Sequence, residues 1–407
     1  MSSALKSSEP PAPPRLSDLV GQARATTVLR NAIRREQVAH AYLFRGLEGV
    51  GKSTAARLFA QALNCLDEQR GVAGDACGQC RSCQLIAQGN HPDVRLITLG
   101  VDRQGRRRTE ISIDQIRQNP HEPRETPRPL VQDAILRPAL GRHKVYLIDP
   151  AERMNPAAGN ALLKVLEDPP PHVVLVLVSS QPAALLPTVL SRCQQVTFQA
   201  AGLAAVAEYL CSLGLEAPTA VSLAALSGGR VGWAVTASRR PEVLEVRRCL
   251  LDLCAALPAM TLPQSLRLAE RIKEQALRLA TAKTDSRAES EEEETDAPGS
   301  GGERGGSDRE LRAALPWCLD VIALWFRDHV SASQDGVLVN PDYAAAIQAS
   351  LISRPRHGQE SVVAAILGAR QRIQRNANID LALEALAIRL LSGDDEAGPV
   401  QSGGNPL

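Results

Sequence analysis

Apolar residues follow two rhythms along this chain. Short, nearly continuous apolar runs, "AYLFRG" (41–46), "VRLIT" (94–98), "KVYLID" (144–149) and "HVVLVLVSS" (172–180), read as strands buried on both faces. Between them, apolar positions recur every three or four residues, notably over Lys52–Asn64 and in "AAGNALLKVLED" (157–168), which predicts helices. This alternation, sustained from about Leu16 to Thr197, predicts an α/β domain built on a parallel sheet with helices on both faces.

Beyond Ala200 the strand rhythm stops. "LAAVAEYLCSLGL" (203–215) and "AVSLAALSGGRVGWAV" (220–235) predict a small helical lid over 200–240. Helical spacing then continues over 241–395 as an all-α C-terminal domain. The segment 283–309, opening "KTDSRAESEEEETD", interrupts it with too few apolar side chains to bury and is expected to be a disordered insertion. The Pro-rich residues 1–15 and the last residues, 396–407, are expected to be disordered tails.

Composition narrows the function classes. The 407 residues are 44% hydrophobic but only 3% aromatic, a balance that fits helix-rich packing by Ala, Leu and Val. Lys and Arg number 46 against 45 Asp and Glu, so any nucleic-acid contact must come from a local surface or from partners. Arg103, Arg106, Arg107 and Arg108 form one such local run, readable equally as a phosphate contact or as a solvated hairpin. No secretory signal or membrane anchor is expected in "MSSALKSSEPPAPPRLSD", and a cytoplasmic protein follows.

"GLEGVGKST" supplies the first chemistry. Gly46, four residues, then Gly51, Lys52 and Ser53 match the phosphate-binding loop, between a predicted strand and a predicted helix. Glycines, Gly49 among them, let backbone N–H groups turn toward phosphates; Lys52 would reach the outer phosphates, with Ser53 and Thr54 opening the helix. Asp149, at the end of "KVYLID", is the expected second ligand of an ATP-bound Mg²⁺. The next residue, where a hydrolytic machine of this type carries a water-activating acid, is Pro150, and Glu152 lies two residues further on. Nucleotide binding is therefore expected, and efficient self-contained hydrolysis is not.

Cys65, Cys77, Cys80 and Cys83 follow the loop helix as C-x11-C-x2-C-x2-C. Four clustered thiolates with no open position predict a structural Zn²⁺ rather than a redox pair. The remaining five cysteines, Cys193, Cys211, Cys249, Cys254 and Cys318, are scattered and expected to be buried.

Taken together, "VGQ" (20–22), "HAYLFRG", "ALNC" with "CGQCRSC", "HPDV" (91–94), "ISIDQIR" (111–117), "MNPAAGNALLKVLEDPP" (154–170) and "LLPTVLSRCQQVTF" (185–198) resemble bacterial DNA polymerase III clamp-loader subunits of the AAA+ class. The C-terminal "IQRNANIDLALEALAIRL" is similar to their collar helices. The resemblance implies an AAA+ domain with a zinc module, a lid and a helical collar. It also implies a hetero-oligomeric ring with gamma/tau and delta subunits that loads a sliding clamp on primed DNA. By the same resemblance, Arg192 of "SRC" would be an arginine finger entering a neighbour's site, Ser180 the sensor of the outer phosphate, and Arg230 the lid arginine that folds over nucleotide. Pro150 points to the branch that supports its neighbours rather than to a motor subunit. A stand-alone remodeller, which would turn over ATP without unlike partners, is the reading from another class.

Overall fold

The computed structural model describes residues 14–100, 108–117, 128–288, 303–334, 336–353 and 359–392. Contacts divide the chain into two units: one holds the described residues up to Ala205 with Gly229–Trp233, and the other holds Val206–Gly228 with the described residues from Ala234 onward.

In the first unit, β1 (Ala41–Arg45), β2 (Val94–Ile97), β3 (Lys144–Ile148), β4 (Val173–Ser179) and β5 (Gln194–Thr197) form one sheet in the order β2-β3-β4-β1-β5. Every pairing is parallel. The four apolar runs read from the sequence are β1 to β4. β5 reads "QQVT", buries only Val196, and as a short polar edge strand carries no apolar run to announce it.

Alternate residues of each strand feed opposite faces, as a pleated strand requires. Tyr42, Phe44, Val145, Leu147, Val174 and Val176 join one apolar cluster with Phe59 and Leu63 of the helix Lys52–Asn64. Leu43, Tyr146, Ile148, Leu175 and Leu177 join a second cluster with Leu162 and Val165 of the helix Pro156–Glu167. Pro156 sits in that helix's first turn and the Asn155 side chain accepts from Ala158 N–H at 2.8 Å, so its start is written in "MNPAA".

Two polar side chains stitch the connections beneath the sheet. Asp93 accepts backbone N–H groups from Ala139, Leu140 and Gly141, each at 2.7 Å. Asn64 accepts from Arg142 and His143 and donates to the His143 carbonyl. Both are nearly fully buried, so each replaces water that the backbone would otherwise need.

The second unit is helical. Its core includes Trp325, Leu315, Cys318, Ile322, Ile366, Leu383 and Leu386. Arg247 is buried among them and makes a two-pronged pair with Asp342 at 2.8 Å, with further bonds to Asn340 and Ser222. Asn376, in left-handed backbone, ends the helix Gln359–Gln374, and Arg312 donates to the carbonyls of Ile373 and Ala377.

Of the expected lid, Val206–Gly228, with the helix Ala217–Ser227 and all but the first three residues of the helix Leu203–Ser212, groups with the C-terminal helices apart from Gly229–Trp233, and Gly228–Gly229 break what the sequence presented as one helical stretch. Helices run into both ends of the expected insertion, to Ala288 and from Glu303, while 289–302 lie outside the described residues. Both tails lie outside them too, except Pro14 and Arg15. Cys211 is exposed and Cys193 and Cys249 are half-buried, leaving only Cys254 and Cys318 of the scattered cysteines in the core. Among the described residues no helix is long and apolar enough to cross a membrane.

The Asp93 cradle yields a stability prediction with a definite pH sign. Burial alone would raise this carboxyl, but the three backbone donors outweigh burial and hold it below the usual carboxylate range. Asp93→Asn should cost about 2–3 kcal/mol at pH 7. Because the folded pKa lies below the unfolded value of about 3.9, the carboxylate's contribution is complete above that pH and is lost as pH falls through the folded value. Denaturant melts of both proteins should therefore differ at pH 7 and converge in acid.

Candidate nucleotide site and cysteine cluster

The parallel register places the ends of β1, β3 and β4 along one edge of the sheet, where Arg45 is level with Ser179 and Ile148 with Leu177. Ligands of open parallel sheets sit outside such carboxyl ends. A cavity of about 680 Å³ opens there, lined by Gly49, Gly51, Lys52, Ser53, Thr54, Asp149 and Ser180 among the expected residues, and by Glu48, Pro150, Glu152 and Gly232 besides. Gly46 and Arg230 do not line it.

The loop needs its glycines for two separate reasons. Gly46 (φ 149°) lies so close to β5's continuation that an added Cβ would stand 2.3 Å from the Phe198 carbonyl oxygen. Gly51 (φ 101°) caps the helix Lys52–Asn64 without a side-chain bond, leaving the helix's first N–H groups to face an anion. Gln22, from "VGQ", braces the loop base by donating to the carbonyls of Val50 and Gln199.

Lys52 is buried and its ammonium donates to the carbonyls of Gly46 and Leu47, both at 2.7 Å. Burial pulls its pKa down, opposed by the charges of Glu152, Asp149 and Glu48. Asp149 moves the other way: burial raises it, opposed by the nearby Ser53 side chain and by the charge of Lys52. Ser53 and Asp149, the two groups expected to share a magnesium, both line the cavity.

Glu152 is the residue that sequence reasoning noted but gave no role. The turn Ala151–Arg153 brings it back to the cavity, where its Oε1 accepts from Ser180 N–H at 3.0 Å and from the Ser180 hydroxyl at 2.6 Å. Burial raises this carboxyl, but the Ser180 bonds outweigh burial and keep it below the usual range. The available signal was an acid within three positions of a strand-end Asp. The expected phosphate sensor, Ser180, is therefore spent on a carboxylate of its own chain.

Arg230 stands beside Gly49, its guanidinium 5.7 Å from the centre of the Trp233 ring, while Gly232 N–H donates to the Gly49 carbonyl at 2.8 Å. Arg192, following the helix Pro187–Leu190, does not line the cavity. It pairs with Glu167 at 2.9 Å and donates to the Thr188 carbonyl. Of the basic run, Arg108 bonds the Ser112 hydroxyl, and Arg103, Arg106 and Arg107 lie outside the described residues.

Elsewhere in this unit, the sulfurs of Cys65, Cys77, Cys80 and Cys83 lie within 4.8 Å of one another, a group that could hold a metal ion. Tetrahedral coordination at about 2.3 Å per thiolate needs sulfurs slightly under 4 Å apart, close to the 4.0 Å between Cys65 and Cys80. Backbone N–H groups of Cys77, Leu66 and Cys80 point at the sulfurs of Cys65, Cys80 and Cys77. Burial pushes the Cys65 and Cys83 thiols up, whereas at Cys80 the amides of Leu66 and Cys83 outweigh burial and bring it to about 7.

The family profile described as DNA polymerase III, delta subunit matches residues 21–202. A DNA polymerase III subunit delta' of Pseudomonas aeruginosa is 39% identical over 233 residues, 55% of this chain and 65% of that protein. Over residues 21–202 the chain is similar to DNA polymerase III subunits. A subunit tau/gamma of Haemophilus influenzae is 35% identical over 225 residues, 54% of this chain but 30% of that protein. These relatives are thus matched over 30% to 65% of their lengths, and over about half of this chain. Among solved structures, a DNA polymerase III, gamma subunit-related protein from Thermotoga maritima aligns over 89% of this chain and 98% of its own, at 16% identity and a TM-score of 0.33.

The close approach at Gly46 makes a direct prediction. Gly46→Ala should destabilise the first unit by about 2–4 kcal/mol, since both the backbone angle and the Phe198 carbonyl oppose a methyl group. Thermal or denaturant melting checks this, and an unchanged midpoint would contradict the loop's packing.

Proposed function

We propose that this chain is a delta prime-type subunit of a DNA polymerase III clamp loader. In this reading it takes its place in a ring of unlike subunits, gamma/tau and delta, lends Arg192 to a neighbour's ATP site, and helps load a sliding clamp on primed DNA in the cytoplasm. Its own site binds nucleotide with Mg²⁺ through the loop, Lys52, Ser53 and Asp149, and hydrolyses it poorly. The observation that carries this reading is Pro150: the position after Asp149 holds no acid to activate water.

The exposure of the Arg192–Glu167 pair supports a role in trans. With side chains 35% and 56% accessible, such a pair is worth about 0–1 kcal/mol, so a neighbour's phosphates can displace Glu167 at small cost. A guanidinium presented across an interface stabilises charge developing on a transferring phosphoryl group. The motor reading, a gamma/tau-type subunit, draws on the 35% identity to the Haemophilus influenzae protein and would require Glu152 to replace the missing acid.

In a reconstituted complex, Arg192→Ala should leave assembly intact and lower DNA- and clamp-stimulated ATPase at least about tenfold, with Arg192→Lys a poor substitute because an ammonium lacks the planar fork. Undiminished ATPase would contradict the proposal.

For the cysteines we propose one structural Zn²⁺, which would hold the loop helix to the segment 77–83. Metal analysis of protein prepared without chelator should return close to one zinc per chain. Chelation should lower the melting temperature, and Cys80→Ser should do the same while losing the metal. A metal-free protein, or a Cys77–Cys80 disulfide formed in reducing buffer, would refute this assignment.

A further inference from the structure

Glu152 stands where a triphosphate would need room. Two donors suited to an outer phosphate, the Ser180 N–H and hydroxyl, both close on Glu152 Oε1. Its other oxygen, Oε2, is buried without a hydrogen-bond partner, and Glu152 is the foremost carboxylate acting on the Lys52 ammonium. The carboxylate thus holds the hydroxyl and the N–H that a third phosphate would seek, and its charge is felt by the cation that such a phosphate would also seek. The groups that suit the first two phosphates, the loop amides and the uncapped start of the helix Lys52–Asn64, are left free of it.

We propose that Glu152 acts as a built-in substitute for the terminal phosphate and sets the site's specificity toward nucleoside diphosphates over triphosphates. This rests on the reading of the cavity as a nucleotide site. A diphosphate fills the loop and leaves the Glu152–Ser180 contact undisturbed. A triphosphate places another anion against a carboxylate and must break two hydrogen bonds to gain Ser180. Such a site stays occupied by the same ligand through rounds of ATP turnover next door, a structural prop for the loop rather than a timer.

The test is calorimetric titration of the full-length chain with Mg²⁺-ADP and with Mg²⁺-ATP. Wild-type protein should bind ADP at least about tenfold more tightly than ATP, the size of effect expected from one unscreened like charge. Glu152→Gln keeps the side chain's shape and an acceptor for Ser180 but removes the charge. It should tighten ATP binding about tenfold while changing ADP affinity less than about twofold. Equal wild-type affinities, a ratio that Glu152→Gln does not move, or no binding of either nucleotide would each overturn the proposal. So would wild-type ATP turnover that Glu152→Gln abolishes, since that result assigns Glu152 to water activation. None of these outcomes bears on Arg192, whose contribution is read from the ATPase of the assembled complex.

Discussion

A buried ammonium at the carboxyl edge of a parallel sheet must be answered by oxygen atoms, and Lys52 is answered by two carbonyls of its own loop, with carboxylate charge nearby. The loop that carries it turns two carbonyls back onto it, the strand ending at Ile148 brings Asp149, and the following turn brings Glu152. Each contribution depends on the sheet order, because β4 lies between β1 and β3 and its end carries Ser180 to Glu152. A bound phosphate must compete with the two carbonyls already bonded to the Lys52 ammonium.

How much of this was legible in the sequence follows from what each element must bury. β3 and β4 are covered on both faces, so "KVYLI" and "VVLVLVS" show as unbroken apolar runs. β5 buries one residue and left no such trace. The loop helix appeared with its observed bounds because its glycines, its lysine and its apolar spacing all agree. The grouping of Val206–Gly228 with the C-terminal helices was not visible, since it rests on distant side chains such as Ser222 bonding the Val339 carbonyl. Four cysteines at metal-ligand spacing were readable because the ligand chemistry lies in the local sequence. Glu152 was not, because its meaning comes from Ser180, 28 positions away.

The chain's two charged groups of greatest functional interest are held in opposite ways. Glu152 is tucked into a cavity and fixed by two donors, so its charge is felt strongly and locally. Arg192 is partly exposed and held by an exposed partner, so it is cheap to redirect. A subunit that keeps its own site quiet while serving another's needs this division. In the proposed function the inward carboxylate would restrain chemistry at home, and the outward guanidinium would be available to a neighbour. In the same proposal Pro150 completes the division, standing where an acid would orient attacking water.

The most direct test of this account is ATP turnover by the purified full-length chain alone, with Mg²⁺ and no partner subunit. The account predicts a rate of about 0.01 per second or less, far under the range usual for enzymes, and the same low rate in Lys52→Ala. A rate of about one per second or faster, abolished by Lys52→Ala, would show that the site is a motor in its own right and contradict the account.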